Sequence, residues 1–140
     1  MIDFKLKVLT PAGEKPLAEI REGDELYSAT GTGITTNIVK KKYEGRSSIF
    51  ARVSCNGNSI SCVPEQYLAK KSAGRSKMNY TKVSQIGPGA LVYRSEEGLT
   101  SPVEVTAIEV STGDETSVIG LKFEKYPFNY IVDGFVVGSE

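Results

Sequence analysis

The chain has no histidine and no tryptophan among its 140 residues, only two cysteines, and no apolar run long enough to cross a membrane as a helix. The missing histidine removes the commonest general base, the commonest metal ligand and the usual pH switch together. The cysteines, Cys55 and Cys62, have no metal-ligand spacing around them, so neither a metal nor a cofactor is expected. Charge of one sign is lacking too: 17 basic residues balance 17 acidic ones. A neutral chain has no general attraction to nucleic acid or to an anionic membrane surface. The opening residues carry no secretory leader pattern, and the expected setting is cytoplasmic, without a membrane partner.

What is present is turn chemistry. Fourteen Gly and six Pro divide the chain into many short apolar runs, the pattern of an all-β fold with little helix. The length fits one domain, residues 1–140, large enough to bury about two thirds of the surface the unfolded chain exposes.

One stretch organises the rest. Lys7 to Thr10 reads as a strand that turns at Pro11-Ala12-Gly13. Leu17 and Ile20 then share one side of a single helical turn, Gly23-Asp24 ends it, and Glu25-Leu26-Tyr27 opens another strand. Leu17, Ile20, Gly23, Leu26 and Tyr27 recur without a gap, 66 positions on (17 to 83), as Val83, Ile86, Gly89, Val92 and Tyr93. Five matches at one offset point to an internal repeat, with units near 8–28 and 80–95 and an approximate twofold axis between them. Val8, Leu17, Ile20, Leu26, Val83, Ile86, Val92, Val105, Leu121 and Val136 are the expected core.

Elsewhere, Asn56-Gly57 between two apolar runs is a hairpin signal. It puts Cys55 beside the turn and Cys62 along the partner strand, so the pair is expected as two buried thiols, not a disulfide. Phe4 to Thr10 alternates as a half-buried strand. Thr35 to Tyr43 and Ser47 to Val53 read as separate strands, with Lys40-Lys41-Lys42 as a solvated edge. Pro64 to Ala69 could open a helical turn. Gly98 and Pro102 are expected to break the chain before a strand from Val103 to Val110, and Ser111 to Glu115 reads as a turn. Val118 to Phe123 and Tyr130 to Val137 read as strands, the second bent at Asp133-Gly134. The basic stretch Lys70 to Lys77 reads as an exposed loop, either a solvated tip or a phosphate-binding loop.

The order of these parts resembles the Hint domain shared by inteins and the autoprocessing domain of hedgehog proteins. Val8-Leu9-Thr10, Gly13, Ile20 and Gly23-Asp24 are similar to the family's opening block, Ser61 to Gln66 to its second, Tyr80 to Val92 to its third, and Phe128 to Val137 to its closing strands. The resemblance implies a flattened, pseudo-twofold horseshoe of strands. It also implies a chemistry: a first-position Cys or Ser attacks the preceding carbonyl, a Thr and a His polarise that peptide, and closing-block proton donors let a terminal Asn cyclise.

Position by position the chain departs from that chemistry. Met1 stands at the nucleophile position, and a thioether forms no acyl intermediate; the expectation is that no residue precedes it to supply a scissile bond. Val63 and Gln66 replace the Thr and the His. Phe128 replaces the closing proton-transfer residue, Gly138 and Ser139 the penultimate His and terminal Asn, and Glu140 the receiving residue. These positions should converge on one cleft, partly filled by Phe128 packing near Val63, with the Gln66 amide turned to a backbone partner or to solvent. The resulting expectation is a catalytically inactive Hint-like module, structural or protein-binding. Its partners would be proteins: components of a phage particle or its assembly apparatus, in a virion if phage-encoded, or further copies of itself. Two other readings are an autoprocessing enzyme using Cys62 or Ser139, and a small β-barrel binding nucleic acid through Lys40–Lys42 and Lys70–Lys77.

Overall fold

A computed structural model describes residues 1–140. In chain order the strands are β1 (Ile2–Asp3), β2 (Lys7–Thr10), β3 (Gly13–Pro16), β4 (Glu25–Ala29), β5 (Ile34–Cys55), β6 (Asn58–Cys62), β7 (Tyr67–Lys71), β8 (Met78–Lys82), β9 (Leu91–Glu96), β10 (Leu99–Glu104), β11 (Ala107–Phe123), β12 (Asn129–Val132) and β13 (Phe135–Gly138). The only helical pieces are two 3-10 turns, Leu17–Glu19 and Val83–Gln85. The strands form a five-stranded sheet ordered β11-β1-β6-β5-β4 and an eight-stranded sheet ordered β10-β9-β7-β13-β12-β2-β3, with β8 on β7.

The two 3-10 turns sit in the same backbone frame. The Ile20 N–H donates to Leu17 O at 3.2 Å, and the Ile86 N–H to Val83 O at 3.0 Å. Gly23 and Gly89 follow at φ 89° and 91°, a region open chiefly to glycine. The Gly23 N–H donates to Val39 O and the Gly89 N–H to Val105 O, both at 2.8 Å, again 66 positions apart. Upstream the correspondence continues at an offset of 60. The Leu6 N–H donates to Asp3 O and the Gln66 N–H to Val63 O; the Leu17 N–H donates to Leu6 O and the Val83 N–H to Gln66 O. The difference between the two offsets, six residues, falls in the hairpin: four in its turn and one in each of its strands. The first copy turns at Pro11-Ala12, whereas the second carries the basic loop at 72–77. Ile2 and Cys62, themselves 60 apart, pair with each other. The β12–β13 hairpin ties the copies together, with Val132 on Val8 and Val137 on Leu68.

All ten expected core positions are buried, and most belong to one 23-residue apolar cluster fed by both copies. The Asn-Gly turn is present, with Asn56 at φ 45° and Gly57 at φ 88°. It sets Cys55 opposite Asn58 and Cys62 opposite Ala51, and both cysteines are free and buried. Asp133 and Gly134, at φ 48° and 83°, make a second such turn.

Several sequence expectations give way to longer-range pairing. Thr35–Tyr43 and Ser47–Val53 are one strand, because β11 supplies a partner along Val39 to Ser54. The lysine run is paired on one side, Lys41 with Lys122 and Lys42 with Leu121; β4 and β6 pair β5 elsewhere, at 34–38 and 51–55, so its other side is the exposed edge expected, and Lys42 Nζ donates to Ala18 O at 2.9 Å. Ser111–Glu115 is not a turn but an irregularity inside β11, where the register shifts between Thr112 and Thr116. The expected Val103–Val110 strand is broken at Val105-Thr106, where the chain changes partners: the Val105 N–H donates to Ala90 O and the Thr106 N–H to Ser54 O. Pro102 does not break its strand, because β10 is an edge and tolerates a missing donor. Phe4–Leu6 turns instead of extending, since Asp3 Oδ1 captures the Lys5 N–H at 3.0 Å. Pro64–Ala69 forms a simple turn into β7, without a helix.

Candidate functional site

The two ends of the chain meet. β1 lies between β11 and β6, with Ile2 paired to both Ile119 and Cys62, and the Val63 N–H donates to Met1 O at 3.0 Å. From the other side the Ser139 N–H donates to Phe128 O at 2.9 Å and the Glu140 N–H to Leu121 O at 2.8 Å. The Met1 amine thereby comes within 2.7 Å of Gln66 Oε1 and 2.9 Å of Glu140 Oε1.

Gln66 is the hub of this junction and is buried. Its Nε2 donates to Tyr67 O at 2.9 Å and to Gly138 O at 3.0 Å, while its Oε1 accepts from the Met1 amine. The amide is satisfied by backbone, as the cost of an unpaired buried amide requires. The other positions contribute bulk or main chain. The Met1 thioether lies against Gly45: a Cβ there would be 3.2 Å from its sulfur. Glu140 lies directly over Gly120, where any side chain would collide with its carboxylate. Gly138 sits under Tyr67 and Tyr80; a Cβ would meet Tyr67 Cβ at 2.9 Å and Tyr80 Cδ1 at 3.2 Å. An imidazole at Gly138 would need those tyrosines displaced.

Of the six positions singled out in the sequence, Gln66 touches both Met1 and Gly138 directly. Val63 and Ser139 enter through backbone bonds. Phe128 does not fill the cleft against Val63. Its side chain is 46% exposed and stands edge-on to Tyr126, with ring centroids 6.1 Å apart. The reason is local: Asn129, next in sequence, takes the inward direction. Asn129 receives the Ala29 N–H at 2.7 Å and donates to Ala29 O and the Tyr80 hydroxyl at 3.1 and 2.8 Å. Residues alternate across a strand, so an inward Asn129 leaves Phe128 outward. Sequence reading missed Asn129 as a structural hub; its only signal was a short polar residue opening an otherwise apolar strand.

The nearest thiol, Cys62, is fully buried, and burial pushes it up to about 12, against a smaller opposing pull from the Met1 amine. Glu65 is no base for it, being exposed and paired with Lys82 at 2.9 Å. The described groups hold an amine, an amide and a carboxylate together by hydrogen bonds, with no nucleophile–base pair among them.

This geometry, with two matching turn-and-glycine units and both chain ends held side by side, is the Hint fold. Solved structures agree over nearly the full length. The PabCDC21-1 intein matches with a TM-score of 0.86 at 16% identity, covering 99% of this chain and 98% of that one. The TvoVMA intein gives 0.84 at 17% identity, with 97% and 95% covered. A bacterial intein-like domain from Clostridium thermocellum gives 0.79 at 16% identity, with 100% and 99% covered. No family model and no curated protein matches the chain in sequence.

Proposed function

We propose that this chain is a catalytically silent Hint-fold module that works through protein contacts, as a structural part of a larger assembly such as a phage particle. The observation carrying this reading is the junction itself. Where autoprocessing would need an activated nucleophile beside a proton carrier, the side chains are a thioether turned onto Gly45, a backbone-bonded amide and a carboxylate over Gly120. A thiol held at about 12 supplies almost no thiolate near neutrality. Fold by itself does not confer the chemistry of other proteins that share it.

Mass spectrometry tests the reading. The chain carrying foreign sequences at both ends is incubated with added thiol, and separately with hydroxylamine, at neutral and raised pH. The expected result is one unchanged mass. A new fragment or a spliced product that disappears in Cys62→Ala or Ser139→Ala would assign autoprocessing to that residue and end the proposal.

A further inference from the structure

Beside the junction, a cavity of about 330 Å3 opens between the basic loop and the segment before β12. Tyr80 and Met78 of β8, Tyr126, Ala29, Thr30 and Lys77 line it. Three features of this cavity ask for a ligand of one chemistry.

Its aromatic wall is unspent. Tyr126 is 74% exposed and meets Phe128 in an edge-to-face pair, so most of its ring is left to water. Its charge is one-sided. Lys77 is the one charged residue on its lining, and the stretch it ends, 70–77, adds Lys70, Lys71 and Arg75 and holds no acid, in a chain that is neutral as a whole. Lys82 is occupied by Glu65 and Lys71 Nζ by Arg75 O, whereas Arg75 and Lys77 carry no ion pair. Its phenol is set to donate. The Tyr80 hydroxyl accepts from Asn129 Nδ2 at 2.8 Å, which leaves its own proton for an acceptor in the cavity.

From these we infer that the cavity is a docking site for an acidic peptide segment of a partner protein, with one apolar side chain against Tyr126 and Met78 and a carboxylate on Lys77 and the Tyr80 hydroxyl. This names a partner class for the protein-binding module proposed above and rests on that reading. A single-stranded nucleic acid fits less well. The Tyr126 and Phe128 rings stand at 84° and offer no parallel platform for successive bases, and the cavity has room for a side chain rather than a tract.

Fluorescence anisotropy of the full chain with a fluorescein-labelled peptide of Asp and Glu around one central Phe tests the inference. Saturable binding that weakens with added salt is expected. Replacing the central Phe by Ala, or the acids by Lys, should abolish it. Tyr126→Ala and Lys77→Glu alter exposed side chains and should leave the melting temperature unchanged, yet each should weaken binding on the order of tenfold or more. No saturable binding, or variants that bind like the unaltered chain, would overturn the site. A labelled oligothymidylate that binds as tightly as the peptide would overturn the partner class. So would self-association of the unligated protein that Tyr126→Ala abolishes, since a second copy would then be the occupant. The mass experiment stays separate: the peptide can fail to bind an intact chain, and a chain that cleaves can still bind the peptide.

Discussion

The first copy of the repeat and the second share a backbone and differ in almost everything facing outward. Between residues 1 and 30 there are six acids (Asp3, Glu14, Glu19, Glu22, Asp24, Glu25) and four cations (Lys5, Lys7, Lys15, Arg21). Between 61 and 96 there are two acids (Glu65, Glu96) against six cations. What stays constant is the 3-10 turn, the positive-φ glycine, the bond from that glycine to Val39 or Val105, and the buried Leu/Val and Ile pair. Those features fix the chain path and have few alternatives, because a buried donor must be paired and a φ near 90° needs glycine. Surface charge has no such constraint. The six-residue difference in hairpin length then gives the second copy its loop, and with it the cavity. Leu6 and Gln66 stand at equivalent turns, yet only Gln66 faces the chain ends.

The largest test of that comparison is in the core. Ile20→Ala and Ile86→Ala should each lose about 2–5 kcal/mol in urea unfolding. Ile20 belongs at the upper end, because it is fully buried while Ile86 is 7% exposed. A loss at only one of them would mean that the two turns do unequal work despite equal geometry.

Gln66→Leu installs the first copy's residue in the second. It removes the partner of Gly138 O and of the Met1 amine, so a loss of roughly 1–3 kcal/mol is expected. A melt that is unchanged would show the junction to be wet and the amide dispensable.

Gly23→Ala and Gly89→Ala should cost about the same, roughly 1–2 kcal/mol. Neither position has an atom within 4 Å of an added Cβ, so only backbone strain is measured. Unequal costs would break the equivalence of the two turns.

A pH-dependent effect distinguishes Cys62 from Ile2, with which it pairs. The folded thiol is raised from 9.0 to about 12, so the native state keeps a proton that the unfolded chain gives up. Its contribution is whole below pH 9 and declines as pH rises towards 12, by about 1.4 kcal/mol per pH unit. Cys62→Ala should lack that slope, so the stability gap between variant and original chain narrows across pH 9–12. Parallel curves would show that the thiol titrates normally.

Legibility followed the range of the interactions. The two 3-10 turns with their glycines, the Asn-Gly turn, the free cysteines and every named core position could be read from the sequence, because each depends on local φ preference or on spacing within one turn. So could the all-β class and the resemblance that carried the fold, including the place of Gln66 against backbone. Where one strand ended and another began could not. Ser111–Glu115 has turn composition, yet β5 opposite it supplies ladder partners on both sides. The direction of Phe128 was decided by Asn129, whose contacts are with residues 29 and 80, far away in sequence. The cavity combines the loop at 72–77 with Tyr126, about fifty positions on. The sequence by itself therefore determined which residues must be buried and which must turn. Only the tertiary structure decided which strands pair and which side chains share a cavity, because pairing partners and neighbours are supplied by distant segments.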